Sequence, residues 1–316
     1  NSPPASNVAV TEEWTGAGQP IGAWATGGSL NQARKQGGGA GSQTSALAFG
    51  GNPTHPGTSF TANTEKYDGT SWTEVNNLNE ARNALGGAGA SNTAALAFGG
   101  YDPGDAPANE TETWNGTNWT EVNNLSTARG NLGSCGASNT AALASGGYTT
   151  TAVAVNESWN GTNWTEVNDL NTARNSLTTT GTTTAALAIG GSSSSVELWN
   201  GTNWTEVNNV NTAKSDSGSA GTTSEALKFG GGNPRVANTE DWNGVSWAEV
   251  ADLNTARSGL ANSKAGSYTA ALAFGGETPP VTAATEEWTG AGAAVGAWST
   301  GGNLNTARGS VAGTPA

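Results

Sequence analysis

Two marks that recur along the chain predict an all-β propeller of four-stranded blades. The first is an apolar run closed by Gly-Gly, ending at Gly51, Gly100, Gly147, Gly191, Gly231 and Gly276, 40 to 49 residues apart. The second is Leu-Asn-x-Ala-Arg, beginning at Leu30, Leu78, Leu125, Leu170, Val210, Leu253 and Leu304, with Ser126 at one Asn place and Lys214 at one Arg place. Paired aromatics accompany them: Trp14/Trp24, Tyr67/Trp72, Trp114/Trp119, Trp159/Trp164, Trp199/Trp204, Trp242/Trp247 and Trp288/Trp298. Rigid spacing next to variable intervals separates packed strands from loops. About 45 residues per repeat, with four strand-sized segments, is the period of a propeller blade.

The third unit serves as the template. After Arg129, Gly-Asn-Leu-Gly-Ser-Cys-Gly-Ala reads as a strand of small residues, suited to the crowded axis. Asn139 to Gly147 reads as an apolar second strand stopped by glycines, and a variable segment follows. Val155 to Trp159 is the third strand, with Glu157 two places before its Trp; Glu12, Glu65, Glu112, Glu197, Glu240 and Glu286 repeat that position. Asn160-Gly161 then marks a hairpin, read as a type I′ turn with positive φ at both central residues. Asn163 to Val167 alternates as the fourth strand, and no window shows sustained helical periodicity. The Trp-bearing strands belong on the outside, where the widening space between blades needs bulk.

The order Arg, small-residue strand, apolar strand ending Gly-Gly, Glu-x-Trp strand, turn and Trp strand resembles the kelch repeat over nearly the whole chain. The wording Trp-Asn-Gly-Thr-Asn-Trp-Thr-Glu-Val-Asn, with Asn-Thr-Ala-Arg and Ala-Ala-Leu-Ala-Phe-Gly-Gly, also resembles repeats in structural proteins of marine bacteriophages, notably those of cyanobacteria. The expectation is therefore one kelch-like β-propeller domain over 1–316. Its blade units are 34–78, 82–125, 129–170, 174–210, 214–253 and 257–304. A partial blade comes from 11–30 plus 308–316. That division gives seven blades, the ring closing by mixing N- and C-terminal strands. Six is the alternative, because 11–34 and 285–308 are near duplicates offset by six units. With no Met and Asn1 at its start, the chain reads as processed, or as a window on a longer polypeptide.

Only 12% of residues are charged and 47 are Gly, too charge-poor and Gly-rich for a helical enzyme. The net charge of −13 repels phosphate backbones and anionic lipid, so neither nucleic acid nor a membrane surface is the expected partner. No apolar run reaches the roughly 18 residues of a spanning helix. Cys135 is the single cysteine, so no intrachain disulfide forms.

Chemistry is sparse. The one histidine, His55, sits in Pro53-Thr-His-Pro56 and reads as a solvated loop residue. Kelch folds can host copper oxidases, but the several His and Tyr with Cys that such a site needs are missing. Cys135 reads as a small buried filler. Glu74, Glu121, Glu166, Glu206 and Glu249 repeat one position, whereas a glycosidase pair would break the symmetry. They read as scaffold or solvated face, with the repeated Arg or Lys residues at the strand starts as candidate partners. The Asn-x-Thr sequons fall in turns and strands and have structural roles there.

What varies is the segment after each Gly-Gly: 52–64, 101–111, 148–156, 192–196, 232–239 and 277–285. These gather on one face of a propeller, and constant scaffold with variable loops is how binding proteins are built. The candidate ligand contacts are Tyr101, Asp102, Asp105, Glu110, Tyr148 and Glu277. No cofactor is expected; Ca²⁺ held by the acids of the 101–110 loop is the one metal candidate. The expected role is a non-enzymatic structural or attachment protein on a virion or outside the cell. Its expected partners are other virion or surface proteins and a host-surface glycan or protein. The alternative is a secreted or cell-surface propeller module binding glycan or protein. A lyase or glycosidase would need an asymmetric acid or His cluster at the channel mouth.

Overall fold

The computed structural model describes residues 12–15, 22–55, 59–191, 193–290 and 297–300. They belong to two units, Gly22–Gly290 and a second made of Asn1–Ile21 with Ala291–Ala316. The first contains six four-stranded antiparallel sheets. From inner to outer strand, the first blade is Gly38–Ser42, Ser45–Phe49, Thr64–Tyr67 and Trp72–Val75. The second is Gly86–Ser91, Ala94–Phe98, Thr111–Trp114 and Trp119–Val122, and the third Gly133–Ser138, Ala141–Tyr148, Ala152–Trp159 and Trp164–Val167. Thr178–Gly181, Ala186–Ile189, Val196–Trp199 and Trp204–Val207 form the fourth. Gly218–Gly221, Ala226–Phe229, Thr239–Trp242 and Trp247–Val250 form the fifth. The sixth takes Ala261–Asn262, Ala270–Phe274 and Thr285–Thr289 from the end of the unit and Ala23–Gly27 from its beginning.

The count is therefore six blades, not the favoured seven. The segment assigned to a partial seventh blade supplies the outer strand of the sixth, with Trp24 opposite Trp288. Mixing of the termini does close the ring, but one blade earlier. No room is left for another: Gln36 N, on the first blade, donates to Gly259 O, on the sixth, at 2.7 Å. Six apolar clusters, each shared by two neighbouring blades, complete the same circuit. The other half of the expected partial blade, 308–316, lies outside the described residues. In the second unit Glu12–Thr15 pairs antiparallel with Ala297–Thr300, Trp14 opposite Trp298. The two near-duplicate hairpins thus trade strands.

Two local expectations also change. The hairpin loops are four residues long and only the Gly has positive φ (Gly161, 93°). Asn160 instead accepts hydrogen bonds on its side-chain oxygen from Thr162 N and Asn163 N, both at 2.9 Å. That is an Asx turn, so the Asn works through its side chain rather than through a left-handed backbone. In the third blade most of the variable segment is strand: Ala141–Tyr148 and Ala152–Trp159 extend the hairpin beyond Gly147.

The sequence motifs become one repeated clamp. Leu-Asn-x-Ala-Arg links one blade to the next and wraps the Glu of the third strand. In the second blade the buried Glu112 accepts from Asn79 N at 2.8 Å, Asn79 Nδ2 at 2.9 Å and the buried Arg82 at 2.8 Å. Arg34–Glu65, Arg129–Glu157, Arg174–Glu197 and Arg257–Glu286 repeat it. This corrects the expected pairing of the arginines with Glu74, Glu121, Glu166, Glu206 and Glu249. Those acids lie directly across the hairpin from the clamped ones but on exposed positions. Arg34 and Arg174 feel Glu74 and Glu206 only as second, more distant charges.

The fifth blade solves the clamp differently. Lys214, at the Arg place, reaches out to Pro234 O. The buried cation comes instead from Lys228 on the second strand, across the ladder from Glu240.

The outer Trp is tied to the neighbouring blade in five of the six blades. Trp24, Trp72, Trp119 and Trp164 donate through Nε1 to the hydroxyls of Thr239, Thr285, Thr64 and Thr111, each at 3.0 Å. Asn156 replaces the Thr in the third blade and offers Oδ1 to Trp204 at 3.1 Å. Val196 replaces it in the fourth, and Trp247 Nε1 is buried without a partner. Val196→Thr should restore the missing acceptor at nearly the same volume. The expected gain is about 1 kcal/mol, read as a raised urea midpoint at unchanged m. A lower midpoint would mean that the hydroxyl cannot reach Trp247.

Candidate functional site at the channel mouth

One residue per blade enters the inner strand in the left-handed region: Gln36, Ala84, Asn131, Ser176, Asp216 and Gly259, with φ between 50° and 61°. Five of these are not glycine, a conformation that costs about 1–2 kcal/mol each. What holds them is a closed circuit. The N–H of each donates to the carbonyl of the one before, around all six blades, at 2.7 to 3.0 Å. This hydrogen-bonded hoop rims an axial cavity of about 90 Å³ lined by inner strands from every blade.

A second circle lies just outside the hoop. The residue after each Gly-Gly pairs with the residue before the hoop position: Asn52 with Lys35, Tyr101 with Asn83, Tyr148 with Gly130 and Glu277 with Ser258. Gly232 N bonds Ser215 O in the same way. The fourth blade's place is residue 192, outside the described residues. Three of the six residues singled out from sequence, Tyr101, Tyr148 and Glu277, thus share one structural position on the rim.

The other three do not join them. Asp102 spends Oδ1 on its own turn, accepting from Gly104 N at 2.7 Å and Ala106 N at 3.0 Å. Asp105 is exposed at the tip of that turn, with φ 59°. Glu110 lies on the return to the third strand, accepting from Asn109 N at 3.1 Å. Among the described residues no three His, Cys, Asp or Glu side chains come together as a metal site.

The rim has two unlike halves. On the second and third blades Tyr101 lies over Gly130, its hydroxyl 3.4 Å from Asn131 Nδ2, with Tyr148 close by. On the sixth, first and fifth blades Glu277 gathers basic side chains. Lys35 Nζ is 2.5 Å away, His55 Nδ1 2.9 Å, and Arg235 pairs with it as well. Burial works against the charge on Glu277, but the hydrogen bond and charge of Lys35, with Arg235 and His55, hold its carboxyl below the usual range. Asp216, on the hoop beside this cluster, is pushed up by burial.

Sequence reasoning missed this cluster because Lys35, His55, Arg235 and Glu277 lie on three different repeats. Only the departure of each from its repeat marks it. The rim is asymmetric, the feature an enzyme reading requires. Its carboxylate, however, is held ionised beside Lys35 and Arg235 and so is poorly placed to exchange protons near neutral pH. Cys135 is buried, its thiol pushed up to about 12 by burial, which keeps it protonated.

Fold and rim together define a six-bladed propeller with a patterned loop face. A solved structure titled "Structure of YjhT" is similar to it: TM-score 0.66 at 12% identity, covering 81% of this chain and 95% of that one. At that identity the likeness concerns the fold alone. No protein-family model and no curated protein matches the chain.

Proposed function

We propose that this chain is a non-enzymatic attachment propeller that engages a surface glycan or protein through its loop face. The observation that supports this reading is the rim position after Gly-Gly. Clamp, hoop and Trp ties repeat almost unchanged, while this one position changes its chemistry from blade to blade: Asn52, Tyr101, Tyr148, Gly232, Glu277. Tyr rings offer broad amphipathic faces at low entropic cost, the cheapest way to grip a sugar ring or a peptide. The opposite half offers Lys35 and Arg235 to an acidic or polar group. The repeat resemblance to marine phage structural proteins supports a place on a virion appendage, next to other virion proteins.

The test uses fluorescently labelled chain on bacterial surface preparations and a glycan array. Tyr101→Ala with Tyr148→Ala should weaken binding at least tenfold, while Glu121→Gln, on the exposed outer strand, leaves it unchanged. A folded double variant that binds as well as the parent, or a folded parent that binds nothing, overturns the reading. Mass spectrometry of purified phage particles tests the placement. Absence from the particles favours the secreted or cell-surface alternative.

A further inference from the structure

The outer strand of each blade has no further strand paired to its free edge among the described residues. An open edge is a template for more pairing, and a charge on it is a common guard. Five blades carry such a charge. Their outer strands read Trp-Thr-Glu-Val or Trp-Ala-Glu-Val, with Glu74, Glu121, Glu166, Glu206 and Glu249 all exposed. The sixth blade does not. Its outer strand, Ala23–Gly27, reads Ala-Trp-Ala-Thr-Gly, and Ala23, Ala25 and Thr26 are exposed. Thr26 stands at the Glu place, since it lies across from Glu286 as Glu74 lies across from Glu65.

This neutral edge is also complementary to itself. Trp24 O turns outward, accepting from Asn254 Nδ2 at 3.4 Å. Outward-facing groups alternate along a strand, so Thr26 turns its N–H and C=O the same way. Trp24 and Thr26 are evenly placed about Ala25. Two copies set antiparallel about a two-fold axis at Ala25 therefore bring Trp24 of each opposite Thr26 of the other. Ala25 meets Ala25, and side chains that small let the strands close to the ladder spacing. The same pairing of two guarded edges would put two glutamates on one face. Pairing a guarded edge with the neutral one would desolvate a carboxylate that has no partner. The charge pattern thus leaves the neutral edge one good match, its own copy.

We propose that the outer edge of the sixth blade is a self-association site, where a second copy of this chain adds its own Ala23–Gly27 strand. The two sheets then run on as one across a pair of propellers. The contact is isologous and the other five edges are guarded, so assembly through this edge stops at the dimer. The edge lies on the perimeter of the ring, which leaves the loop face free for whatever it binds. Each copy carries a net charge of −13, so the approach is opposed at long range. The bonds that form are main-chain bonds between neutral groups. Salt should therefore strengthen this contact, the reverse of its effect on an interface held by ion pairs.

The test is sedimentation equilibrium of the full chain over a range of concentrations, with hydrogen exchange of the Thr26 amide beside it. A monomer–dimer equilibrium is expected, and the amide should gain protection as the dimer fills. Going from about 0.1 M to about 1 M NaCl shortens the Debye length from about 10 Å to about 3 Å and should tighten the dimer. Thr26→Glu installs what five blades already carry at an exposed position, so the fold should stand. It should weaken association about tenfold or more. Thr26→Val, neutral and a good strand former, should leave the dimer intact. Thr300→Glu, at the matching place of the near-duplicate strand Ala297–Thr300, should leave it intact as well. A dimer broken by Thr300→Glu but not by Thr26→Glu would belong to the second unit and overturns the proposal. So does a monomer at every concentration into the millimolar range, or a dimer that Thr26→Glu does not disturb.

Discussion

Arg129→Ala is expected to cost about 3–5 kcal/mol, the range for breaking a buried ion pair by removing one partner. The guanidinium is fully buried and all of its bonds are local to one blade junction. It donates to Gly146 O at 2.9 Å, Thr127 O at 3.0 Å, Ala144 O at 3.2 Å and Glu157 at 2.5 Å. Truncation leaves Glu157 charged in the interior, facing only the backbone N–H groups of Ser126 and Thr127. It also orphans carbonyls at the Gly-Gly turn. Arg129→Lys should recover less than half of the loss, because one ammonium cannot span these acceptors. Arg174→Ala should cost less than Arg129→Ala, since Arg174 already leaves its Nε unpaired. Urea unfolding followed by Trp fluorescence measures all three. A loss under about 1 kcal/mol for Arg129→Ala would mean that the clamp is ornament.

The clamp shows what was legible in the sequence and what was not. Leu-Asn-x-Ala-Arg and Glu-x-Trp were visible as repeats because a blade that works once works again when copied. Their mutual contact was not visible. Two acids repeat per unit, Glu65 and Glu74 in the first blade, directly across one hairpin. Period alone says nothing about which of the two the link between blades folds over. Burial decides it, and burial depends on the neighbouring blade. The fifth blade makes the same point: Lys228 looks like a stray charge in an apolar strand until it is placed across from Glu240.

The blade count failed for a related reason. Repeat counting sees that the ends carry extra copies but not which copies pair. The hoop was invisible as well, because its members Gln36, Ala84, Asn131, Ser176 and Asp216 share a backbone conformation and no side-chain chemistry. For the candidate site, the rim position was legible as the place where repetition stops. The Glu277 cluster was not, since its members meet only when the ring closes.

Ring closure itself rests on one strand, and Trp24 is its anchor. Trp24→Ala should cost about 3–5 kcal/mol from lost packing alone. The ring lies 4.8 Å from Phe229 and 5.5 Å from Trp288, and Nε1 is bonded to Thr239. Trp119 is an internal control with the same environment, 5.0 Å from Phe49 and bonded to Thr64. The packing loss should be alike, but the consequence should differ. Trp119 sits on a strand held to Thr111–Trp114 by a four-residue turn, so the pair stays together when the indole is gone. Ala23–Gly27 has no such tether, since its partner Thr285–Thr289 follows at the far end of the ring. Each doubling of the closed loop adds about 0.6 kcal/mol, and about six doublings separate a hairpin from this closure. In hydrogen exchange, Trp24→Ala should therefore strip protection from 23–27 and 285–289 together. Trp119→Ala should leave 111–114 and 119–122 protected above the unfolded level. Equal loss in the two variants would mean that the neighbouring blades, rather than this strand, keep the ring shut.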